Sequence, residues 1–147
     1  MDISGKKIAV LGAGTSGLAA AKLAKSRGAI VRAYDSGVSE KLSGRVELFA
    51  GEGIELITGD EALNPDVDSE LCVISPGIDA ASDIGNVFVS GGAELIGEIE
   101  FAWRLGNAKV IGITGTNGKT TTTDLLAKIL NDCGLKTVPC GNYGLAL

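Results

Sequence analysis

The stretch KIAVLGAGTSGLAAAKLAKSRGAIVRAYD, residues 7–35, decides the fold of this chain. It opens with an apolar run at 7–11, continues with a helical pattern that Gly28 ends, and closes with a second apolar run at 30–34. A strand, a helix and a strand within about 30 residues predict a βαβ unit with a right-handed crossover. The expected fold class is therefore α/β, with a parallel sheet.

Between the first strand and the helix lies GAGTSG, residues 12–17, which has the spacing Gly-x-Gly-x-x-Gly. In this position the first glycine allows a tight turn, the second admits a ligand to the backbone, and the third lets helix and strand pack closely. The helix N-terminus offers N–H groups to a diphosphate, and Asp35 would accept hydrogen bonds from a ribose or a base. The pattern predicts a Rossmann-like domain. It leaves open NAD or a flavin, another diphosphate-linked nucleotide, or a purely structural turn.

More strands of the same sheet are expected further along the chain. Apolar runs at 54–57 and 71–74 are typical of strands, and 93–96 is a further candidate. The sequence Ser-Pro-Gly at 75–77 ends the second of these runs, because proline and glycine stop a strand and turn the chain. A helix is predicted over 98–105, with Gly106 after it.

The chain is expected to contain two domains, 1–97 and 98–147. A second βαβ unit is predicted in the latter, with a strand at 109–113, a glycine-rich turn, a helix through 125–130 and a strand at 136–138. Two strands are too few to build a parallel sheet with both faces covered. We therefore expect the chain to be a fragment of a longer protein, ending inside a P-loop ATPase-like domain.

The glycine-rich turn of the second unit, GTNGKTT, is similar to a phosphate-binding P-loop. It departs from the strict pattern because Ile113 stands where the first glycine is expected. Backbone N–H groups of such a turn bind anions, Lys119 can reach the β- and γ-phosphate oxygens, and the Thr120 hydroxyl can ligate Mg²⁺. The alternative is a Gly/Thr turn that only caps a helix. The predicted ATP contacts are Gly115, Thr116, Asn117, Gly118, Lys119, Thr120 and Thr121.

Charge is distributed unevenly over the 147 residues, whose net charge is −5. Residues 46–103 hold 13 of the 18 acidic residues and none of the 13 basic ones. Both glycine-rich loops therefore lie in the basic remainder, which is either ordinary surface or a surface that meets phosphates. The acidic balance argues against a general nucleic-acid binder.

Composition excludes other classes of protein. No apolar run reaches the roughly 18 residues of a membrane span. The N-terminus lacks the charged segment followed by an apolar segment that is typical of a signal peptide. A cytoplasmic protein without membrane insertion is therefore expected. The chain has no histidine and three cysteines without a Cys-x-x-Cys pair. We expect these cysteines to be buried, reduced thiols, and any metal to bind through oxygen.

The loop GTNGKTT resembles the ATP-binding loop of the Mur ligase family, which are ATP-dependent, amide-bond-forming enzymes of peptidoglycan precursor synthesis. Matching stretches at 12–19, 35–36, 75–78 and 141–144 extend the resemblance over nearly the whole chain. It implies that the first domain holds the UDP end of a substrate rather than NAD. The implied cofactors are ATP and Mg²⁺, and the implied substrates are UDP-N-acetylmuramoyl-L-alanine and D-glutamate.

The resemblance also implies roles for individual residues. The residues expected at the UDP moiety are Gly14, Thr15, Ser16, Asp35, Ser36, Ser75, Pro76, Gly77 and Asn142. Lys119 would be catalytic, neutralising charge while the γ-phosphoryl group passes to the alanyl carboxylate and D-glutamate attacks the acyl phosphate. Other residues of the family's active site would lie beyond Leu147, so the chain alone is expected to be inactive. An NAD-binding regulatory module and a sibling Mur ligase that adds another amino acid remain the alternatives.

Overall fold

The computed structural model of the chain describes residues 1–37, 40–65, 67–106 and 108–141. Two compact units divide the chain after Gly106. This division lies later than the boundary predicted near residue 97. The reason is that the helix at 98–105 buries Phe101 and Leu105 in the core of the first unit.

Strands and helices alternate along the first unit. The strands are β1 (Lys7–Leu11), β2 (Ile30–Asp35), β3 (Glu55–Thr58), β4 (Leu71–Ile74) and β5 (Glu94–Gly97). The helices are α1 (Thr15–Ser26), α2 (Glu40–Gly51), α3 (Asp83–Ser90) and α4 (Glu98–Leu105), with a short 3₁₀ helix at Gly59–Leu63. All neighbouring strands are parallel, in the order β3-β2-β1-β4-β5. The predicted α/β class with a Rossmann-like sheet is confirmed.

The central strand β1 is buried on both faces of the sheet. Ile8 and Val10 belong to a core cluster that includes Phe101 of α4. Leu11 belongs to a second cluster, on the opposite face, with Phe88 of α3. Helices cover both faces of a parallel sheet, which explains why β1 is a continuous apolar run rather than an alternating one.

The strand order places a crevice between β1 and β4. After β1 the chain moves outward through β2 and β3, and then returns to β4 on the other side of β1. Ligands of such sheets bind at the carboxyl ends of the two strands where the order reverses. Leu11 and Ile74 are paired at these ends, so the glycine-rich turn and the Ser-Pro-Gly turn start side by side.

The second unit contains a helix, α5 (Lys119–Asp132), where one was predicted. The strands predicted at 109–113 and 136–138 are not formed in the described part of the chain. Ile111 and Val138 are instead exposed. A parallel strand depends on neighbouring strands and on helices over both faces, and the described residues of this unit supply no paired strand.

None of the helices that the structure describes combines the length and the apolar character that a membrane span requires.

Candidate functional site

The glycine-rich turn after β1 is tightly packed at its first and third glycines and open at its second. Gly12 has a φ of +109°, and a Cβ at this position would lie 2.9 Å from the Oγ of Ser75. A Cβ on Gly17 would lie 2.0 Å from the carbonyl oxygen of Gly12. A Cβ on Gly14 would meet no atom within 4 Å. The turn thus needs glycine for packing at the first and third positions, and leaves space beside the second.

The N-terminus of α1 follows this turn, and no side chain of the helix occupies the position where an anion would bind. Gly14 is the N-cap residue, no side chain caps the helix, and no acid stands in its first turn. The first turn of a helix has N–H groups without intrahelical partners and a positive potential. Thr15 is exposed and Ser16 half-buried, so a diphosphate can reach this end of the helix.

Asp35 holds the glycine-rich turn from the side of β2. Its Oδ2 accepts a hydrogen bond from the backbone N–H of Ala13 at 2.8 Å, and its Oδ1 accepts one from Gly37 at 2.9 Å. The sequence suggested only a ligand-binding role for this carboxylate. Each oxygen retains a lone pair for a ligand donor, and the exposed Ser36 stands next to it.

Ser75 holds the same turn from the side of β4. Its side chain is buried, its backbone N–H donates to Leu11 O at 3.0 Å, and its Oγ donates to Glu98 Oε1 at 2.7 Å. Pro76 and Gly77 are exposed. Of the three residues expected to line the nucleotide pocket, these two face solvent, whereas Ser75 is turned into the protein.

The carboxyl edge of the sheet therefore gathers most of the expected UDP-binding residues, namely Gly14, Thr15, Ser16, Asp35, Ser36, Ser75, Pro76 and Gly77. Asn142 lies outside the described residues. Glu98 belongs to the same edge, and the sequence analysis missed it. The available signal was an acidic residue directly after the last residue of a strand, Gly97.

The loop before α5 has the backbone shape of an anion-binding turn. Gly115 and Gly118 have positive φ values of +153° and +77°, and Gly118 is the N-cap residue of α5. No side chain caps this helix, and no acid stands in its first turn. The Nζ of Lys119 donates to the carbonyl oxygen of Gly115 at 2.6 Å. The ammonium group thus lies over the loop. If a phosphate bound there, its oxygens would replace the Gly115 carbonyl as the acceptor for Lys119.

The exposed residues of this loop leave space for a phosphate group, and Thr120 is the hydroxyl expected to bind a metal. Thr116, Asn117, Thr120 and Thr121 are all exposed. Within the described ranges no group of three or more His, Cys, Asp or Glu residues could hold a metal ion. Mg²⁺ commonly keeps waters and phosphate oxygens as ligands, so Thr120 fits as its protein ligand beside a bound nucleotide.

The cysteines do not contribute a reactive group to either loop. Cys72 is buried in β4, and burial raises the pKa of its thiol to about 12. The thiolate is the nucleophilic form, so Cys72 is a core residue. The expectation of three buried cysteines was wrong for the other two. Cys133 is exposed and Cys140 half-buried, because both lie after α5 in a unit with few buried residues in its described part.

Two family models match separate parts of the chain. Residues 2–92 match the model described as "Alanine dehydrogenase/PNT, C-terminal domain", and residues 113–145 match "Mur ligase middle domain". Together with the parallel five-stranded sheet, these matches define an α/β protein with a Rossmann-like first unit. The chain belongs to the Mur ligase family, and its amino-terminal domain also belongs to the alanine dehydrogenase/PNT C-terminal domain family.

Individual proteins are similar to this chain over its whole length. A protein named UDP-N-acetylmuramoylalanine--D-glutamate ligase, from Desulfitobacterium hafniense (strain DSM 10664 / DCB-2), is 40% identical over 147 residues, which are 100% of this chain and 32% of that protein. The chain thus spans about a third of the length of the curated relatives it matches.

Two solved structures are similar to this chain. A pseudomurein peptide ligase type C from Methanothermus fervidus is 36% identical, with a TM-score of 0.56 over 88% of this chain and 26% of that chain. The UDP-N-acetylmuramate:L-alanyl-gamma-D-glutamyl-meso-diaminopimelate ligase from Neisseria meningitides is 25% identical, with a TM-score of 0.59 over 97% of this chain and 46% of that chain.

Proposed function

We propose that this chain supplies the UDP-substrate domain and the ATP-binding loop of a cytoplasmic ligase. The ligase joins D-glutamate to UDP-N-acetylmuramoyl-L-alanine at the expense of ATP. The observation that carries this proposal is that one chain presents two uncapped helix N-termini without acids in their first turns, α1 and α5. Each follows a turn that contains a glycine with positive φ, Gly12 before α1 and Gly118 before α5. The names of the relatives that span the whole chain support the choice of substrates.

The first unit would hold the nucleotide end of the substrate. The open space beside Gly14 admits the diphosphate to the N-terminus of α1. Asp35, at the carboxyl end of β2, would accept a hydrogen bond from the uracil ring, and Ser36 after it would donate one. The exposed Pro76 and Gly77 would form the opposite wall, across the crevice between β1 and β4.

The loop before α5 would hold the triphosphate of ATP. Phosphoryl transfer requires positioning and charge neutralisation more than a protein nucleophile, so a chain without histidine loses little at this step. Lys119 would neutralise charge that develops on the γ-phosphoryl group as its bond to the β-phosphate breaks, ADP leaves and the alanyl carboxylate becomes an acyl phosphate. Mg²⁺, when bound, would neutralise the phosphate oxygens further, with Thr120 as its protein ligand. The D-glutamate amine then attacks the acyl phosphate, releasing phosphate and forming the amide.

Two alternatives differ in their chemistry. The match of residues 2–92 to the alanine dehydrogenase/PNT model favours a dinucleotide such as NAD in the first unit. The solved relatives are peptide ligases with other names, which favours a sibling ligase that adds a different amino acid. The first alternative predicts binding of NAD⁺, and the second predicts a different amino-acid requirement.

We expect residues 1–147 alone to release no phosphate above background when ATP, UDP-N-acetylmuramoyl-L-alanine and D-glutamate are all present. The physical reason is that Lys119 and its loop neighbours at 114–121 are exposed among the described residues, so the attraction between the ammonium group and a bound γ-phosphate is weakened by solvent. A full-length ligase that carries this sequence should release phosphate with D-glutamate, and not with L-glutamate, L-lysine or diaminopimelate. Release by residues 1–147 that depends on both substrates would contradict the first expectation. Release that requires another amino acid would favour the sibling ligase.

A further inference from the structure

The strongest feature that the proposed function does not use is the hydrogen bond between Ser75 and Glu98. Ser75 Oγ donates to Glu98 Oε1 at 2.7 Å, and the Ser75 side chain is buried. Glu98 is the first residue of α4 and is half-buried. In the described part of the chain, its second carboxylate oxygen, Oε2, accepts no hydrogen bond. The pair joins the turn after β4 to the helix after β5.

Ser75 also fills the space behind the glycine-rich turn. Its Oγ would lie 2.9 Å from a Cβ on Gly12 and 3.3 Å from a Cβ on Gly17. A hydroxyl has a single proton, and Ser75 commits it to Glu98. The carboxylate of Glu98 therefore sets the orientation of the Ser75 hydroxyl, which packs against Gly12 and Gly17.

Glu98 lies at the N-terminus of α4, beside the turn that contains Ser75. It stands in the first turn of α4, where the helix dipole stabilises an anion, and Gly97 before it provides no side-chain cap. A hydrogen bond to an ionised acceptor is stronger than one between neutral groups. The Ser75 hydroxyl is thus held more firmly than it would be by a neutral neighbour.

We propose that Glu98 is a positioning residue which, through Ser75, holds the glycine-rich turn in the shape that receives a diphosphate. Asp35 secures this turn from β2, and Ser75 with Glu98 secures it from β4 and α4. The inference rests on the proposed function only for the identity of the ligand. The effect on the turn itself does not depend on which diphosphate binds.

The test uses residues 1–147 with Ser75→Ala, Glu98→Ala, Glu98→Gln and the Ser75→Ala/Glu98→Ala double variant. Glu100→Gln is the matched control, since Glu100 stands in the same first turn and pairs with Arg104 rather than Ser75. Titration calorimetry with UDP and UDP-N-acetylmuramoyl-L-alanine measures affinity. Hydrogen exchange of the ligand-free protein measures the backbone amides of residues 12–17.

We expect Ser75→Ala and Glu98→Ala each to raise Kd about tenfold, as for one hydrogen bond to a charged group. The double variant should be no weaker than either single variant, because the two residues act as one unit. Glu98→Gln should recover part of the affinity, since its amide oxygen still accepts from Ser75 but carries no full charge. Glu100→Gln should bind as the unchanged chain does. Amide exchange should become faster at residues 12–17 and not in α5.

Unchanged affinity and unchanged exchange in Glu98→Ala would overturn the proposal, as would strictly additive effects of the two alanine substitutions. If the unchanged chain binds no uridine ligand, the proposed function of the first unit fails, and the exchange experiment still decides the role of Glu98. Ser75→Ala removes only one oxygen atom, so it remains interpretable if Glu98→Ala lowers folding stability.

Discussion

Lys119→Ala in a full-length ligase that carries this sequence is expected to lower kcat by about 10²–10³-fold, the loss typical when one group that stabilises transition-state charge is removed. Lys119 is the first residue of α5, directly after Gly118, and its ammonium group donates a hydrogen bond to the carbonyl oxygen of Gly115 in the loop. No other basic side chain stands in this loop, residues 113–121. A steady-state assay of phosphate release at saturating ATP measures the effect.

The same substitution should leave the fold intact. Lys119 is exposed and makes its hydrogen bonds to loop carbonyls, so its removal leaves no buried group unpaired. We expect the thermal unfolding midpoint to change by no more than about 2 °C. Lys128→Ala is the matched control, because Lys128 is an exposed lysine of the same helix that pairs with Asp132. Ligation by Lys119→Ala at the rate of the unchanged enzyme would refute the role assigned to this loop.

Gly17→Ala is expected to destabilise the first unit by about 3 kcal/mol or more, as an overpacked site without room to relax. Helix propensity alone predicts the opposite sign, since alanine is favoured over glycine in a helix by about 1 kcal/mol. The new Cβ would lie 2.0 Å from the carbonyl oxygen of Gly12, and backbone cannot move aside as a flexible side chain can. Gly12 is held in turn by its hydrogen bond to Tyr34 and by Ser75. Urea denaturation followed by circular dichroism measures the loss.

Gly14→Ala is the control for this prediction, because Gly14 has an ordinary φ of −70° and open space around its Cα. Its cost to stability should stay below about 1 kcal/mol, the scale of an altered N-cap. It should nevertheless weaken binding of a diphosphate ligand, since the new methyl group occupies the ligand's approach. A Gly17→Ala variant as stable as the unchanged chain would show that the glycine spacing does not serve close packing here.

The sequence predicted the centre of the sheet better than its edges. The strands β1 and β4 begin and end where the apolar runs predict, because strands buried on both faces are apolar throughout. The predictions at 54–57 and 93–96 are each displaced by one residue from β3 and β5, which are the two edge strands. Edge strands are buried less completely, so their apolar pattern marks their ends less sharply.

Two helices of the first unit escaped the sequence analysis for physical reasons. Gly44 lies inside α2 and Gly85 inside the short α3, and glycine lowers helix propensity. The usable signal for α3 was Ser82, whose side chain accepts from the N–H of Gly85 and caps the helix. In the second unit, strands were predicted that do not form. The apolar runs at 109–113 and 136–138 are present, but no strand pairs with them in the described residues.

The candidate site divides in the same way between local and long-range features. Glycine spacing before a helix is a local signal, so both glycine-rich turns and the helices after them could be predicted from residues close in sequence. The hydrogen bonds of Asp35 to Ala13 and of Ser75 to Glu98 join residues on different strands and helices. Only the strand order brings these residues together, and no spacing in the sequence shows it.

The most direct test of the central claim is a calorimetric titration of residues 1–147 with UDP-N-acetylmuramoyl-L-alanine, UDP and NAD⁺ in parallel, repeated with Asp35→Ala. We predict that both uridine ligands bind and NAD⁺ does not. Asp35→Ala should weaken the uridine ligands, because it removes a carboxylate at the predicted uracil position and frees the glycine-rich turn. Binding of NAD⁺ without binding of either uridine ligand would contradict the account and identify the first unit as a dinucleotide-binding module.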